Sequence, residues 1–320
     1  MSKRRIYLTL PFAVFIFLAF TSSLIFFSSG PLKKKTNFIV NPGIGFSQLS
    51  EKLFEKEIIS NQMIFNLAGF LFMYHRHIKS GEYLFHPKIS QWDALKMIVD
   101  GNTYYRKITI PEGLTVFEAV DVVLNSEGVQ GELIDHPKEG QIFPETYFYS
   151  WGDSAEDIFR RMYSSFQERT QAMWLNRDAN LPIENLNEVL TLASIIEKES
   201  SYSGEKARIA GVFYNRLKIN MKLQSDPTVI YSIFLKTGEK KAKLLKNDLK
   251  YLSAYNTYLH KGLPPGPICL PGLDSINAAL HPVRTDELYF VADGAKRHIF
   301  SRTLKEHNKH VHHLRKRESN

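Results

Sequence analysis

The chain has 320 residues, 43% of them hydrophobic and 12% aromatic, enough for one or two packed domains once any anchor is set aside. Its net charge of +8 sits mostly at the ends: Lys3-Arg4-Arg5 and Lys33-Lys34-Lys35 flank an apolar run, and His307, His310, His312, His313, Arg315, Lys316 and Arg317 crowd the C-terminus. No basic motif of a nucleic-acid reader is present, which argues against DNA or RNA as partner, and the single cysteine, Cys269, excludes an internal disulfide.

Residues 6–27 form a stretch of 22 without a charge, long enough for a helix to cross a hydrocarbon core of about 30 Å. The preceding basic residues orient it with the N-terminus in the cytoplasm. A cleaved signal peptide would have a shorter apolar region and a small-x-small site. The expectation is a cytoplasmic tail over 1–5 and a retained transmembrane helix over 6–28. The body is then outside the inner (cytoplasmic) membrane of a bacterium, on the periplasmic or extracytoplasmic side.

After the anchor, Phe46-Ser47-Gln48-Leu49 opens an amphipathic helix with Leu49, Leu53 and Phe54 on its apolar side, and a second helix is predicted from Gln62 to about Tyr74. Lys79–Phe85 reads as a turn into a strand and Trp92–Ile98 as a short helix. Residues 104–110 alternate as a strand does, with Tyr105, Lys107 and Thr109 on one side. Pro111–Thr115 is a turn, and Thr115 with Glu118 makes a capping-box pattern for a helix over 116–125. A helix over about 155–174 carries Ile158, Met162 and Phe166. A run of aliphatics from Leu190 then ends in Glu197-Lys198-Glu199-Ser200, and another helix covers 205–218. Residues 236–250 read as a polar insertion. Strands are predicted around 288–292 and 298–300, with Asp293-Gly294 as the hairpin turn. The fold class is α+β.

The chemistry concentrates at Glu197 and Glu199. At about 100° per residue, Glu199 projects between Leu192 and Ile195, and Glu197 lies roughly 160° away beside Leu190 and Ala193. A carboxylic acid at the apolar C-terminal end of a helix tends to keep its proton, because burial and the negative end of the helix both oppose ionisation. Periodicity alone leaves open that both glutamates are solvated. The basic, histidine-containing tail lacks the acidic or thiol partners of a zinc site, and no Gly-rich phosphate loop is present. No metal or cofactor is expected.

Glu199-Ser200 after an aliphatic helix resembles the Glu-Ser pair of lytic transglycosylases. The longer pattern is similar to the endolytic murein transglycosylases (MltG/YceG-like). It runs through Glu139-Gly140-Gln141-Ile142-Phe143-Pro144-Glu145-Thr146-Tyr147, Leu192–Glu199, Val212–Leu217 and Leu223-Gln224-Ser225-Asp226-Pro227-Thr228-Val229-Ile230-Tyr231. It continues through Ala254–Tyr258, Gly262–Ile268 and Leu288–Gly294, so that seven blocks in order cover roughly 37–310. The resemblance implies a LysM-like α/β subdomain over 37–102 and a mixed α+β catalytic domain over 103–314.

It also implies an activity: cleavage of the MurNAc-β-1,4-GlcNAc bond of nascent peptidoglycan with formation of a 1,6-anhydro end, terminating strand elongation. Glu199 would serve as acid and then base, since the sugar's own 6-hydroxyl is the nucleophile. Gln224, Asn215 and Asn256 would bond substrate through their amides, and Tyr231 and Tyr255 would stack on a pyranose. Asp226 would orient Gln224 or a hydroxyl, or, facing Glu199 with water between, make the protein a hydrolase. Each of these also has a structural reading, as cap, core residue or turn. Pro264-Pro265 would rim the cleft. Glu145 stands where the family more often has aspartate. The implied partners are glycan strands and the peptidoglycan synthases (penicillin-binding proteins). A non-catalytic anchored glycan-binding scaffold is the alternative of another class.

Overall fold

The structure, a computed structural model, describes residues 3–294 and 297–318, with side chains from residue 12 onward and without those of 315, 317 and 318. The first two residues of the expected cytoplasmic tail, and the side chains of Lys3-Arg4-Arg5, lie outside that description. The chain forms two compact units. The first comprises Met1–Lys107, Glu127–Val129 and Phe148–Asp153; the second comprises Ile108–Ser126, Gln130–Tyr147 and Ser154–Asn320.

The first unit begins with helix α1 (Lys3–Phe27). Among the described residues no helix is long and apolar enough to cross a membrane, so the span expected over 6–28 is not established by the fold. β1 (Thr36–Val40), α2 (Phe46–Glu55), α3 (Gln62–Leu71), β2 (Gly81–Phe85) and α4 (Gln91–Asp100) follow. β1 and β2 pair antiparallel with Phe38 opposite Tyr83. Alternation puts Phe38, Val40, Tyr83 and Phe85 in the core with Leu49, Leu53, Leu95 and Ile98 from α2 and α4. Asn61 caps α3 by accepting from the Ile64 N–H at 3.0 Å. The helix stops at Leu71, short of the expected Tyr74, because Met73 takes a left-handed φ of 58°. Gly69 lets α3 sit on Phe46: a Cβ there would lie 2.1 Å from the Phe46 ring. The buried charge of Glu82 is met by Arg106 (Nε to Oε2, 2.6 Å) and by the Asn37 amide (2.6 Å).

β3 (Tyr105–Thr109) and β4 (Thr146–Ser150) form a two-stranded sheet, and the boundary between the units falls within both strands. The sequence reading treats 143–147 as a motif without a strand. The aromatic run Tyr147-Phe148-Tyr149 makes it one once β3 is its neighbour.

The second unit is mainly helical. α5 (Val116–Leu124) starts with the capping box at Thr115 and Glu118 in place, and α6 (Ala155–Leu175) buries Ile158, Met162 and Phe166. α7 (Leu186–Glu199) is the centre of this unit. Asn185 caps it, and residues 189–196 are all buried. α8 (Ser203–Lys218), α9 (Asp226–Thr237) and α10 (Leu273–Leu280) pack around it. A helix enclosed on every side explains why eight consecutive residues could not show a clean amphipathic stripe.

Asp226 precedes Pro227, which disfavours helix at that position, yet it is the first residue of α9. Proline near a helix start forfeits no hydrogen bond, since those N–H groups have no intrahelical acceptor. The hairpin β5 (Tyr289–Ala292) and β6 (His298–Ser301) pairs with Phe290 opposite Phe300. The histidine-containing tail is helix α11 (Leu304–Glu318), most of whose described side chains are exposed. His307 stacks on Tyr289 with ring centres 5.4 Å apart, and burial lowers its pKa.

Candidate active site

Glu199 is the last residue of α7, with Ser200 as its extended C-cap. Its carboxyl is densely enclosed although part of the residue reaches the surface. The Ser225 hydroxyl donates to Oε1 at 2.5 Å. Burial raises the Glu199 pKa and the negative charge of Asp226 adds to the rise; the Ser225 hydrogen bond and the charges of His298 and Arg216 oppose it. The net shift is upward, the direction a proton donor needs.

Four neighbours hold this arrangement. Ser225 is the N-cap of α9, yet its hydroxyl makes no capping bond because it faces Glu199. Its backbone N–H donates to Thr257 Oγ1 at 3.0 Å, and Thr228 Oγ1 donates back to its carbonyl at 2.7 Å. Arg216 on α8 is buried and donates to the carbonyls of Leu223 and Leu288, tying the loop before Ser225 to the start of β5. The Tyr258 hydroxyl donates to Asp226 Oδ1 at 2.6 Å, and burial raises its own pKa. His298 on β6 is fixed by Glu205, whose Oε2 lies 3.1 Å from Nδ1 and accepts from the His298 N–H at 3.0 Å.

The other glutamate of the pair is engaged differently. Glu197 forms a buried ion pair with Lys206 of α8 at 3.1 Å and accepts from the Gly272 N–H at 3.0 Å and the Ser275 hydroxyl at 2.6 Å. It clamps α7, α8 and α10 together. Both glutamates are thus withdrawn from water, one on an ammonium and one on a hydroxyl.

The remaining expected site residues divide into groups. Gln224 is exposed with a left-handed φ of 50°, and its N–H donates to the Thr257 carbonyl. Tyr231 and Tyr255 meet edge to face at 5.1 Å, and the Tyr231 hydroxyl donates to Glu139 at 3.1 Å. Burial pushes the Glu139 carboxyl up to about 7. Gly140 after it has φ 78°, and a Cβ there would lie 2.6 Å from the Pro267 ring. Of these, Tyr231 lines a cavity of about 140 Å³ together with Thr115, Lys198 and Lys240.

Asn215 donates its amide to the carbonyls of Thr285 and Glu287. Asn256 is fully buried, its amide on the carbonyls of Leu249 and Tyr251 and its oxygen on the Tyr258 N–H. Pro264-Pro265 lines a groove of about 750 Å³ beside Asn187 and Thr191, along the N-terminal part of α7. Glu145 pairs with Arg169 at 2.7 Å. Cys269 is buried against the Ser194 carbonyl, and burial raises its pKa, which keeps it a thiol. Among the described residues no group of three or more metal-ligating side chains is assembled.

The model of the YceG-like family matches residues 38–313. The chain belongs to the YceG-like family. Within it, the chain is similar to the endolytic murein transglycosylase of Bacillus subtilis strain 168, at 42% identity over 193 residues, 60% of this chain and 51% of the relative. Endolytic murein transglycosylases of Streptococcus pneumoniae strains D39 and R6 are 26% identical over 325 residues, 87% of this chain and 58% of theirs. The chain therefore spans about half the length of these curated relatives. The crystal structure of a putative YceG-like protein from Listeria monocytogenes aligns with a TM-score of 0.55 at 33% identity, covering 86% of this chain and 98% of that one.

Sequence reasoning on this YceG-like chain singled out Glu199 but not Ser225, Tyr258, Arg216 or His298. Ser225 and Tyr258 sit inside the matching blocks beside chosen residues. Their signal was spacing from Gln224 and Asn256, which a reading focused on amides and aromatics passes over.

Proposed function

We propose that this chain is a membrane-anchored endolytic lytic transglycosylase of peptidoglycan, in which Glu199 is the general acid and then the base. The observation that carries the reading is the enclosed Glu199 carboxyl at a helix C-terminus, with a neutral hydroxyl as its bonded partner. The acid gives its proton to the glycosidic oxygen of the MurNAc-β-1,4-GlcNAc bond as the C1–O bond breaks. The muramoyl 6-hydroxyl closes on C1, and the Glu199 carboxylate takes that hydroxyl's proton, restoring the acid. No water is consumed, so the reaction needs one carboxyl rather than the two of a hydrolase, and its intramolecular nucleophile draws on orientation.

Gln224, exposed on the loop that also carries Ser225, is assigned to substrate, with Asp226 and its partner Tyr258 orienting a hydroxyl. Tyr255, half-buried, is assigned to a sugar face farther along the strand, with the buried Tyr231 packed edge to face behind it. Asn215 and Asn256, their amides committed to the backbone, are assigned to shaping the walls.

The charge-free stretch 6–27 supports an inner-membrane anchor with the body on the far side of the membrane from the cytoplasm. Such tethering limits the enzyme to nascent strands near the bilayer, where cutting terminates elongation and peptidoglycan synthases are the natural partners. The β-α-α-β order of the first unit, with its antiparallel strand pair, supports a LysM-like glycan contact.

The test is digestion of purified sacculi and polymerised lipid II by the full chain in detergent, with product masses read for wild type and Glu199→Gln. Wild type should leave ends one water lighter than reducing ends, and Glu199→Gln should leave none. Reducing ends from wild type would mean a hydrolase using Asp226 and water. Intact glycan with both proteins would mean a scaffold.

A further inference from the structure

Apart from Gln62 and Asn66, helix α3 is apolar. Phe65, Ala68 and Gly69 face the core of the first unit. On the opposite side Met63, Leu67, Phe70 and Leu71 are 80, 56, 51 and 71% exposed, and Phe72 and Met73 extend the surface at 49 and 50%. A helix with apolar residues on two opposite sides needs a second apolar surface against it, and a patch of this kind marks a contact rather than ordinary exposure.

Three features identify the contact as lipid. α3 and α1 together line an apolar groove of about 460 Å³, with Phe15, Leu18 and Ala19 on one wall and Leu67, Leu71 and Phe72 on the other. The patch therefore continues onto α1, the helix that carries the charge-free stretch 6–27. At the end of α1, Trp92 is surrounded by Phe27, Phe72 and Tyr74 with ring centres 5.6–6.1 Å apart, and Trp and Tyr favour the headgroup level. The sequence flanking α3 is basic, although the neighbouring α2, the turn after it and α4 carry the exposed acids Glu51, Glu55, Glu57 and Asp93. No acidic residue occurs before Glu51 or between Glu57 and Glu82, while Lys33-Lys34-Lys35, Arg76 and Lys79 are exposed. Basic side chains bordering an apolar surface suit an anionic bilayer.

We propose that α3 and the Phe72-Met73 turn form a second membrane contact, lying in the headgroup–acyl boundary beside α1. The inference rests on the anchor reading of α1. Seating the first unit on the bilayer in this way fixes it by two points rather than one.

Cys269 is buried, so an introduced cysteine takes a maleimide fluorophore selectively. Leu67→Cys, Leu71→Cys, Phe15→Cys and Lys246→Cys are labelled in the full chain. Each is reconstituted into phosphatidylglycerol-containing liposomes with or without bromine on the acyl chains. Probes at 67 and 71 should lose about half their emission to brominated lipid, as expected some 5–10 Å into the boundary, like the probe at 15 and unlike the exposed one at 246. Quenching at 15 with none at 67 and 71 overturns the proposal and leaves the anchor standing. Absence of quenching at all four removes the anchor reading and the proposal with it. Probe-to-probe quenching between copies at 67 and 71, without lipid quenching, means a second copy covers this face and also overturns it.

Discussion

Replacing Ser225 with Ala removes the hydroxyl that donates to Glu199 Oε1 at 2.5 Å and leaves the acid's other neighbours in place. That bond favours the charged carboxylate, so without it the proton is held more tightly. A hydrogen bond to a charged group contributes about 1.5–3 kcal/mol and each pKa unit is about 1.4 kcal/mol, so the alkaline limb of kcat/KM should move up by about one to two pH units. The sign follows from the role: a donor must be protonated, and activity falls as pH rises through its pKa. Stability should fall by about 1 kcal/mol for the lost buried hydrogen bond, with no further N-cap cost, because the Ser225 hydroxyl makes no capping bond to α9. The assay is the rate of anhydro-ended product formation from polymerised lipid II across the neutral and alkaline range, with thermal unfolding in parallel. A limb that stays in place or moves down would refute the assignment of Glu199 as the acid. So would a full loss of activity in a normally stable variant.

Asp226→Asn removes the charge that helps to raise the Glu199 pKa, so its alkaline limb should move down, opposite to Ser225→Ala, with anhydro ends still the product by mass spectrometry. Lys206→Met leaves Glu197 buried without its cation, where the two side chains are 4 and 7% exposed. Urea unfolding should record a loss of about 3–5 kcal/mol, partly recovered by adding Glu197→Gln. Glu139 is raised from 4.5 to about 7 by burial. Its native state therefore favours the proton, and the stability present below pH 4.5 is lost as pH rises towards 7, by up to about 3 kcal/mol. Glu139→Gln should flatten that part of the stability–pH curve, and an unchanged slope would place the titration elsewhere.

Local signals in the sequence were sufficient where one element decides its own form. The capping box at Thr115, the helix over 155–175 and the 289–301 hairpin follow from spacing and turn chemistry alone. What escaped depends on partners distant in sequence. Glu197 and Glu199 look alike on a helical wheel, and only Lys206, Gly272 and Ser275 on one side and Ser225 on the other distinguish them. Asn215 and Asn256 offer the same amide as Gln224. Their donors are taken by carbonyls up to 72 residues away, which no local pattern reveals. Met73 ended α3 early through its backbone conformation, although methionine is a good helix former.

The encased α7 behaves as a rigid rod whose rotational setting is locked from outside by α8 and α10. A one-residue insertion or deletion along it would turn its tip by about 100° and swing the proton store away from its serine. Length variation among relatives should accordingly be absent from this rod and tolerated in the segments around it. Damage remote from the sugar, at Lys206 or Ser275, should be felt as a misaimed acid before it is felt as weakened grip on the strand.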